Sequence, residues 1–79
     1  MEQKILDRIV INPKIMVGKP VIKGTRIPVE NILRKLAQNI DFEEILKDYP
    51  RLTRQDIQAA IMYAESLVEN TEIFPVQNA

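Results

Sequence analysis

The stretch Gly18-Lys19-Pro20-Val21-Ile22-Lys23-Gly24-Thr25-Arg26-Ile27-Pro28-Val29 sets proline, glycine and basic residues into a β-branched run. No helix can hold it. Pro20 and Pro28 fix φ and lack an N–H, each pushes the residue before it towards an extended conformation, and Gly18 and Gly24 permit turns. The stretch reads as a kinked β-arm feeding a helix that begins at or just after Pro28, because proline suits a first helical turn. Upstream, Arg8-Ile9-Val10-Ile11 is a β-branched run closed by the turn signal Asn12-Pro13. Ile15-Met16-Val17 and Pro20-Val21-Ile22 flank a Gly18-Lys19 turn, so residues 1–27 are expected to hold two to four short strands. Strands this short need a helix to cover them or a second copy to pair with.

From Val29 the period becomes helical. Val29, Ile32, Leu33, Leu36 and Ala37 form one apolar stripe, which predicts a first helix running to about Gln38. Asn39 then stands where a left-handed C-terminal cap belongs. Two further helix starts repeat one design. Asp41 is an N-cap with Glu44 at N3, and Ile40 with Ile45 makes a hydrophobic staple. Thr53 is an N-cap with Asp56 at N3, and Leu52 with Ile57 makes the matching staple. These starts predict helices over residues 42–48 and about 54–69, joined by Tyr49-Pro50-Arg51-Leu52. The third helix is expected to bury Ile57, Ala60, Ile61, Ala64 and Leu67 or Val68, leaving Gln55, Gln58, Ala59, Met62, Glu65 and Ser66 outside. Tyr49 and Tyr63 are expected at the core or its rim.

The expected architecture is mainly α with a small N-terminal β-arm, a three-helix helix-turn-helix of homeodomain-like order. One domain covers residues 1–79, with the β-arm at 1–27, the helical core at 28–69 and an extended tail at 70–79. A chain of 79 residues buries only about 60% of its unfolded surface, so oligomerisation would add to its stability. Cysteine and histidine are both absent, which excludes disulfides, thiol nucleophiles, His-based triads and zinc sites that need either residue. Nothing in the chain calls for a metal or another cofactor, and no enzymatic activity is expected. No apolar stretch approaches the roughly 20 residues of a membrane span, and Asp7 interrupts any signal-peptide core, so a cytoplasmic location is expected.

The formal net charge of zero hides two poles. Residues 1–40 carry eight basic side chains against three acids, a net of +5, and residues 41–79 carry three against eight, a net of −5. A chain with two poles can meet two kinds of partner, or itself. In a helix-turn-helix the third helix would enter the major groove. Arg54, Gln55, Gln58 and Ala59 would then lie near base edges, with Arg51 and Thr53 near phosphates. Against this, Asp41, Glu43, Glu44, Asp48 and Asp56 surround the face with repulsive charge, as befits a merely solvated helix. Lys14, Lys19, Lys23 and Arg26 read either as a basic β-ribbon for a groove or as charges that protect strand edges. Lys19, Lys23 and Arg26, with the apolar tail residues Ile73, Phe74 and Val76, are the candidate partner-binding residues. The Gly18 to Thr25 segment is no phosphate-binding Walker loop: five residues separate its glycines and no lysine precedes Thr25. The pairs Glu43/Glu44 and Asp41/Glu44 sit at helix starts, where the dipole favours acids without any catalytic role.

Taken in order, Asn-Pro, Gly-Lys-Pro-Val-Ile-Lys-Gly-Thr-Arg-Ile-Pro-Val, Glu-Glu-Ile-Leu-Lys-Asp-Tyr-Pro-Arg-Leu-Thr and Asp-Ile-Gln-Ala-Ala-Ile-Met-Tyr-Ala closely resemble the small prokaryotic family called domain of unknown function 433. The resemblance spans residues 9–64, with Asn39 standing where the family has glycine after the first helix. It implies a β-arm plus helix-turn-helix that often self-associates; independently, too little core for so many β-branched residues and the +5 and −5 halves point to a homodimer or higher homo-oligomer paired through the N-terminal strands. The resemblance also implies a relationship to antitoxins of toxin-antitoxin pairs, whose partners resemble PIN-domain nucleases; binding of operator DNA is an expectation from the helix-turn-helix order. The competing reading is a self-assembling DNA-binding regulatory module without a toxin partner.

Overall fold

A computed structural model describes residues 7–69 of the chain. Strand β1 (Ile9–Ile11) and strand β2 (Pro20–Ile22) form a two-stranded antiparallel sheet in the register Ile9 to Ile22, Val10 to Val21 and Ile11 to Pro20. Three helices follow: α1 (Val29–Ala37), α2 (Phe42–Asp48) and α3 (Arg54–Glu69). The chain is therefore mainly helical with a small N-terminal hairpin.

Proline and glycine shape the arm as their backbone preferences require. In the turn after β2, Thr25 N–H donates to the Ile22 carbonyl at 3.0 Å, and Gly24 takes φ +82°, a conformation glycine adopts without strain. Thr25 locks this turn with its hydroxyl, donating to the Ile22 carbonyl at 2.8 Å and accepting from Ile27 N–H at 3.0 Å. Pro28 bridges back to Val21 in antiparallel fashion and caps the start of α1 in an extended conformation.

The hairpin loop differs from the expected strand. Met16, Val17 and Gly18 all have positive φ, at 50°, 56° and 80°, forming a left-handed turn where Ile15-Met16-Val17 was expected to extend. Asn12 starts this departure: its side chain accepts from Lys14 N–H and its carbonyl from Ile15 N–H, both at 2.8 Å, so the chain curls before a strand can form.

Capping then sets the helix boundaries. Asn39 adopts φ 66°, Asn39 N–H donates to the Leu36 carbonyl and Ile40 N–H to the Lys35 carbonyl, the Schellman pair that ends α1. Asp41 accepts from Glu44 N–H at 3.0 Å and starts α2. At α3 the capping box is reciprocal: Thr53 Oγ1 accepts from Asp56 N–H at 3.2 Å, and Asp56 Oδ2 accepts from Thr53 N–H at 2.9 Å.

One core unites hairpin and helices. Ile22, Val29, Ile32, Ile45, Leu52, Ile57 and Ala60 are buried together, with Ile9, Ile27, Ile40, Tyr49 and Tyr63 packed against them. Both staples thus serve the core, and each fully buried isoleucine contributes about 1.5–3 kcal/mol. The buried sector of α3 is not the expected one. Ala59 is fully buried, whereas Ile61, Leu67 and Val68 are exposed. The reason is tertiary: β1 packs on α3 as well as α1 and α2 do, which widens the buried sector near the helix start.

Asp56 binds the two parts together. It is the buried charged residue among those described, and its Oδ1 accepts from Arg8 Nη1 at 3.1 Å while Oδ2 caps α3. Asp56→Ala should lower stability by about 2–3 kcal/mol in urea unfolding, because it removes a cap and leaves a half-buried arginine unpaired. Asp56→Asn, which can still accept from Thr53 N–H, should lose roughly half as much. Equal losses for the two would mean that the charge, and not the cap, carries the effect.

Candidate binding surface

The start of α3 is the place to look for nucleic-acid readout, and most of its polar side chains have partners inside the chain. Arg54 Nη1 donates to Glu43 Oε2 at 2.8 Å, and its guanidinium lies 5.1 Å from the centre of the Phe42 ring. Gln55 Oε1 accepts from Arg8 Nη2 at 3.0 Å. Thr53 is held in the capping box, and Arg51 Nη2 donates to the Gly24 carbonyl at 3.0 Å. Gln58 is exposed and its side chain forms no hydrogen bond among the described residues. Ala59, expected beside a thymine methyl, is fully buried and cannot reach a base. The helix therefore offers one unengaged amide where the sequence suggested four reading residues.

The basic arm divides in a similar way. Lys19 Nζ lies 2.9 Å from Glu30 Oε1, and Arg34 Nη2 lies 3.2 Å from Glu30 Oε2, so one carboxylate on α1 answers two cations. The Lys19 hydrogen bond, with its charge, holds the Glu30 carboxyl below the usual carboxylate range. Lys35 is paired with Asp48 at 2.9 Å and sits 5.7 Å from the centre of the Tyr49 ring; the Asp48 hydrogen bond raises its pKa. Lys14, Lys23 and Arg26 are exposed without an ion pair among the described residues. Ile73, Phe74 and Val76 lie outside the described residues.

A second surface was not foreseen. Val17 is 93% exposed in its left-handed turn, its neighbour Met16 is exposed, and so is Ile11 at the end of β1. A β-branched residue at positive φ is a backbone outlier that costs about 1–2 kcal/mol. The Asn-Pro signal and the glycine marked a turn here, but not that the apolar residues would point outwards. Among the described residues no group of three or more acids could hold a metal ion. No described helix is long and apolar enough to cross a membrane.

A hairpin laid on the longest of three helices, with Glu30, Asp41, Glu43, Asp48 and Asp56 engaged in caps and ion pairs, defines a small, mainly helical domain with an N-terminal β-arm. Residues 9–64 match the model of the family described as "Protein of unknown function (DUF433)", and the chain belongs to that family. It is 54% identical over 37 residues to an uncharacterized protein of Archaeoglobus fulgidus, covering 47% of this chain and 97% of that one. It is also 36% identical over 55 residues to the uncharacterized protein y4eO of Sinorhizobium fredii, covering 70% of this chain but only 25% of the relative. Among solved structures it is similar to the DUF433 member from Anabaena variabilis determined at 2.00 Å, with TM-score 0.74 and 36% identity over 85% of this chain and 66% of that chain. The chain thus spans a quarter of the Sinorhizobium protein and about two thirds of the Anabaena chain.

The Lys19–Glu30–Arg34 triad has a pH signature. Folding lowers the Glu30 pKa, so the triad favours the folded state above the ordinary carboxylate pKa of about 4.3 and loses that contribution as pH falls through the lowered value. In urea unfolding, Glu30→Gln should be less stable than the parent near neutral pH, by a small amount because the groups are exposed. The difference should close at acid pH, where both side chains are neutral. A gap that persists below the carboxylate range would assign the effect to shape and not to charge.

Proposed function

We propose that this domain is a non-enzymatic binding module of antitoxin type, which neutralises a PIN-type nuclease partner by direct contact and also binds double-stranded DNA. The observation that carries the protein-binding part is the strained, exposed apolar turn. A valine at φ 56° with 93% exposure is unfavourable in the isolated chain on both counts, and local strain of this kind clusters at binding sites. Exposed Asp41 and Glu44, without ion pairs among the described residues, add negative charge suited to the basic substrate groove of a nuclease. The antitoxin relationship implied by the family resemblance supplies the class of partner. A non-enzymatic role is supported by the absence of histidine and cysteine and by carboxylates such as Asp41, Asp56, Glu30, Asp48 and Glu43 that cap helices or pair with cations.

Self-association belongs to the same proposal. The sheet has two strands, so β1 presents an edge to which a second copy can add its own β1. The DNA-binding part rests on the order of a short helix, a turn and a longer helix, with Gln58 free on the outer face.

Co-expression with the protein encoded next door, co-purification and an RNase assay test the partner. The complex should form and should cleave RNA more slowly than the free nuclease. Val17→Gly should raise the stability of the isolated chain by up to about 1 kcal/mol, since glycine accepts positive φ, while weakening the complex. If no neighbour co-purifies, or if the complex cleaves as fast as the free partner, the antitoxin reading fails. A self-assembling DNA-binding regulator then becomes the better description.

A further inference from the structure

Arg51 comes from the link between α2 and α3, yet its guanidinium rests on the Gly24 carbonyl, 27 positions earlier. Lys23 and Arg26 flank that glycine and are exposed. Three cationic residues thereby share one turn, two by sequence and one through the bond of its guanidinium to the turn's backbone. Most other described cations are answered: Arg8 by Asp56, Lys19 and Arg34 by Glu30, Lys35 by Asp48, and Arg54 by Glu43. Lys23, Arg26 and Arg51 have no ion pair among the described residues. Two remaining unpaired lysines are separate from them, Lys14 in the loop at the far end of the hairpin and Lys47 on α2.

Like charges held together raise the local potential until an anion reduces it. The Gly24 carbonyl occupies one N–H of Arg51 and fixes the head in place, while the other donors of the fork stay available. We infer that the turn Lys23-Gly24-Thr25-Arg26, together with Arg51, is a phosphate-binding site, and that its occupant is the sugar-phosphate backbone of duplex DNA. The cluster is open and its cations are spread along a turn, so it suits successive phosphates of a strand better than one small anion. Its position agrees. Arg51 lies two residues before Thr53, the cap of α3, and phosphate contacts beside the start of such a helix set its register on the duplex. With Arg54 and Gln55 engaged internally, binding through this cluster is governed by backbone charge and only weakly by sequence. The inference rests on the DNA-binding part of the proposed function and is independent of any nuclease partner.

Fluorescence anisotropy of a labelled duplex with the full chain tests it. Lys23→Ala/Arg26→Ala should weaken binding at least tenfold at low salt and should reduce the slope of log affinity against log salt by about 1.8, the share of two phosphate contacts. Lys14→Ala/Lys47→Ala removes the same charge elsewhere and should change affinity less than twofold. Arg51→Gln should weaken binding in the same direction with a slope change of about 0.9, the share of one contact, and circular dichroism establishes that each variant is folded; if Arg51→Gln unfolds, the Lys23/Arg26 pair still decides. Equal losses in the two double variants would reduce the effect to overall charge and overturn the site. Duplex binding untouched by Lys23→Ala/Arg26→Ala overturns the site while leaving DNA binding through α3 intact. No duplex binding at low salt overturns both. If inorganic phosphate binds to the turn and displaces the duplex more than its ionic strength explains, the site is a free-anion pocket and the assignment to DNA is wrong.

Discussion

The buried carboxylate of Asp56 is the interaction on which the arrangement of this domain depends. One oxygen accepts from the backbone N–H of Thr53, the N-cap of α3, and the other from the guanidinium of Arg8, which lies next to β1. A hairpin with three-residue strands has no stability of its own in water, so it must be fastened to the helices. Apolar packing through Ile22 and Ile9 supplies the force, but packing alone leaves the sliding direction open. The hydrogen-bonded ion pair removes that freedom. Burying a carboxylate is costly when unpaired, and here the capping bond and the arginine together offset the loss of water.

That choice constrains how the surface can act. Arg8 reaches past Asp56 to Gln55, and Glu43 holds Arg54, so two of the residues that would read bases are committed to intramolecular contacts. Free positive charge is found instead on the arm side, around the Gly24 carbonyl, where a residue from the helix link meets two from the turn. The linear separation of charge along the chain becomes a mixed surface. Ion pairs join arm to helix at Lys19 with Glu30, and helix to helix at Lys35 with Asp48. Exposed pairs like these contribute little to stability one by one, and their main effect is to decide which cations remain available.

Strain marks a second constraint. Met16 and Val17 occupy left-handed conformations beside Gly18, and only the glycine does so freely. The neighbouring bonds, Gly18 N–H to the Ile15 carbonyl and Lys19 N–H to the Met16 carbonyl, hold the turn closed. Sheet register leaves little slack there, because Ile11 must pair with Pro20 while the eight residues between them close the loop.

Local chemistry was legible in the sequence. The helix boundaries followed from caps and staples, down to Asn39 in the left-handed region, because these signals act within a few residues and compete with nothing distant. The same holds for β1, β2 and the exclusion of helix from residues 18 to 27, since proline and glycine act on their own backbone. Tertiary structure alone decided the rest. Periodicity describes a helix packed on one side and therefore placed Ala59 outside and Ile61 inside; β1 covers α3 from a second direction and buries Ala59, while Ile61 is exposed. Likewise no local signal shows that Arg8 will occupy Gln55, or that Arg51 will settle on Gly24, because those partners are 47 and 27 positions apart and meet only when the hairpin closes on the helices.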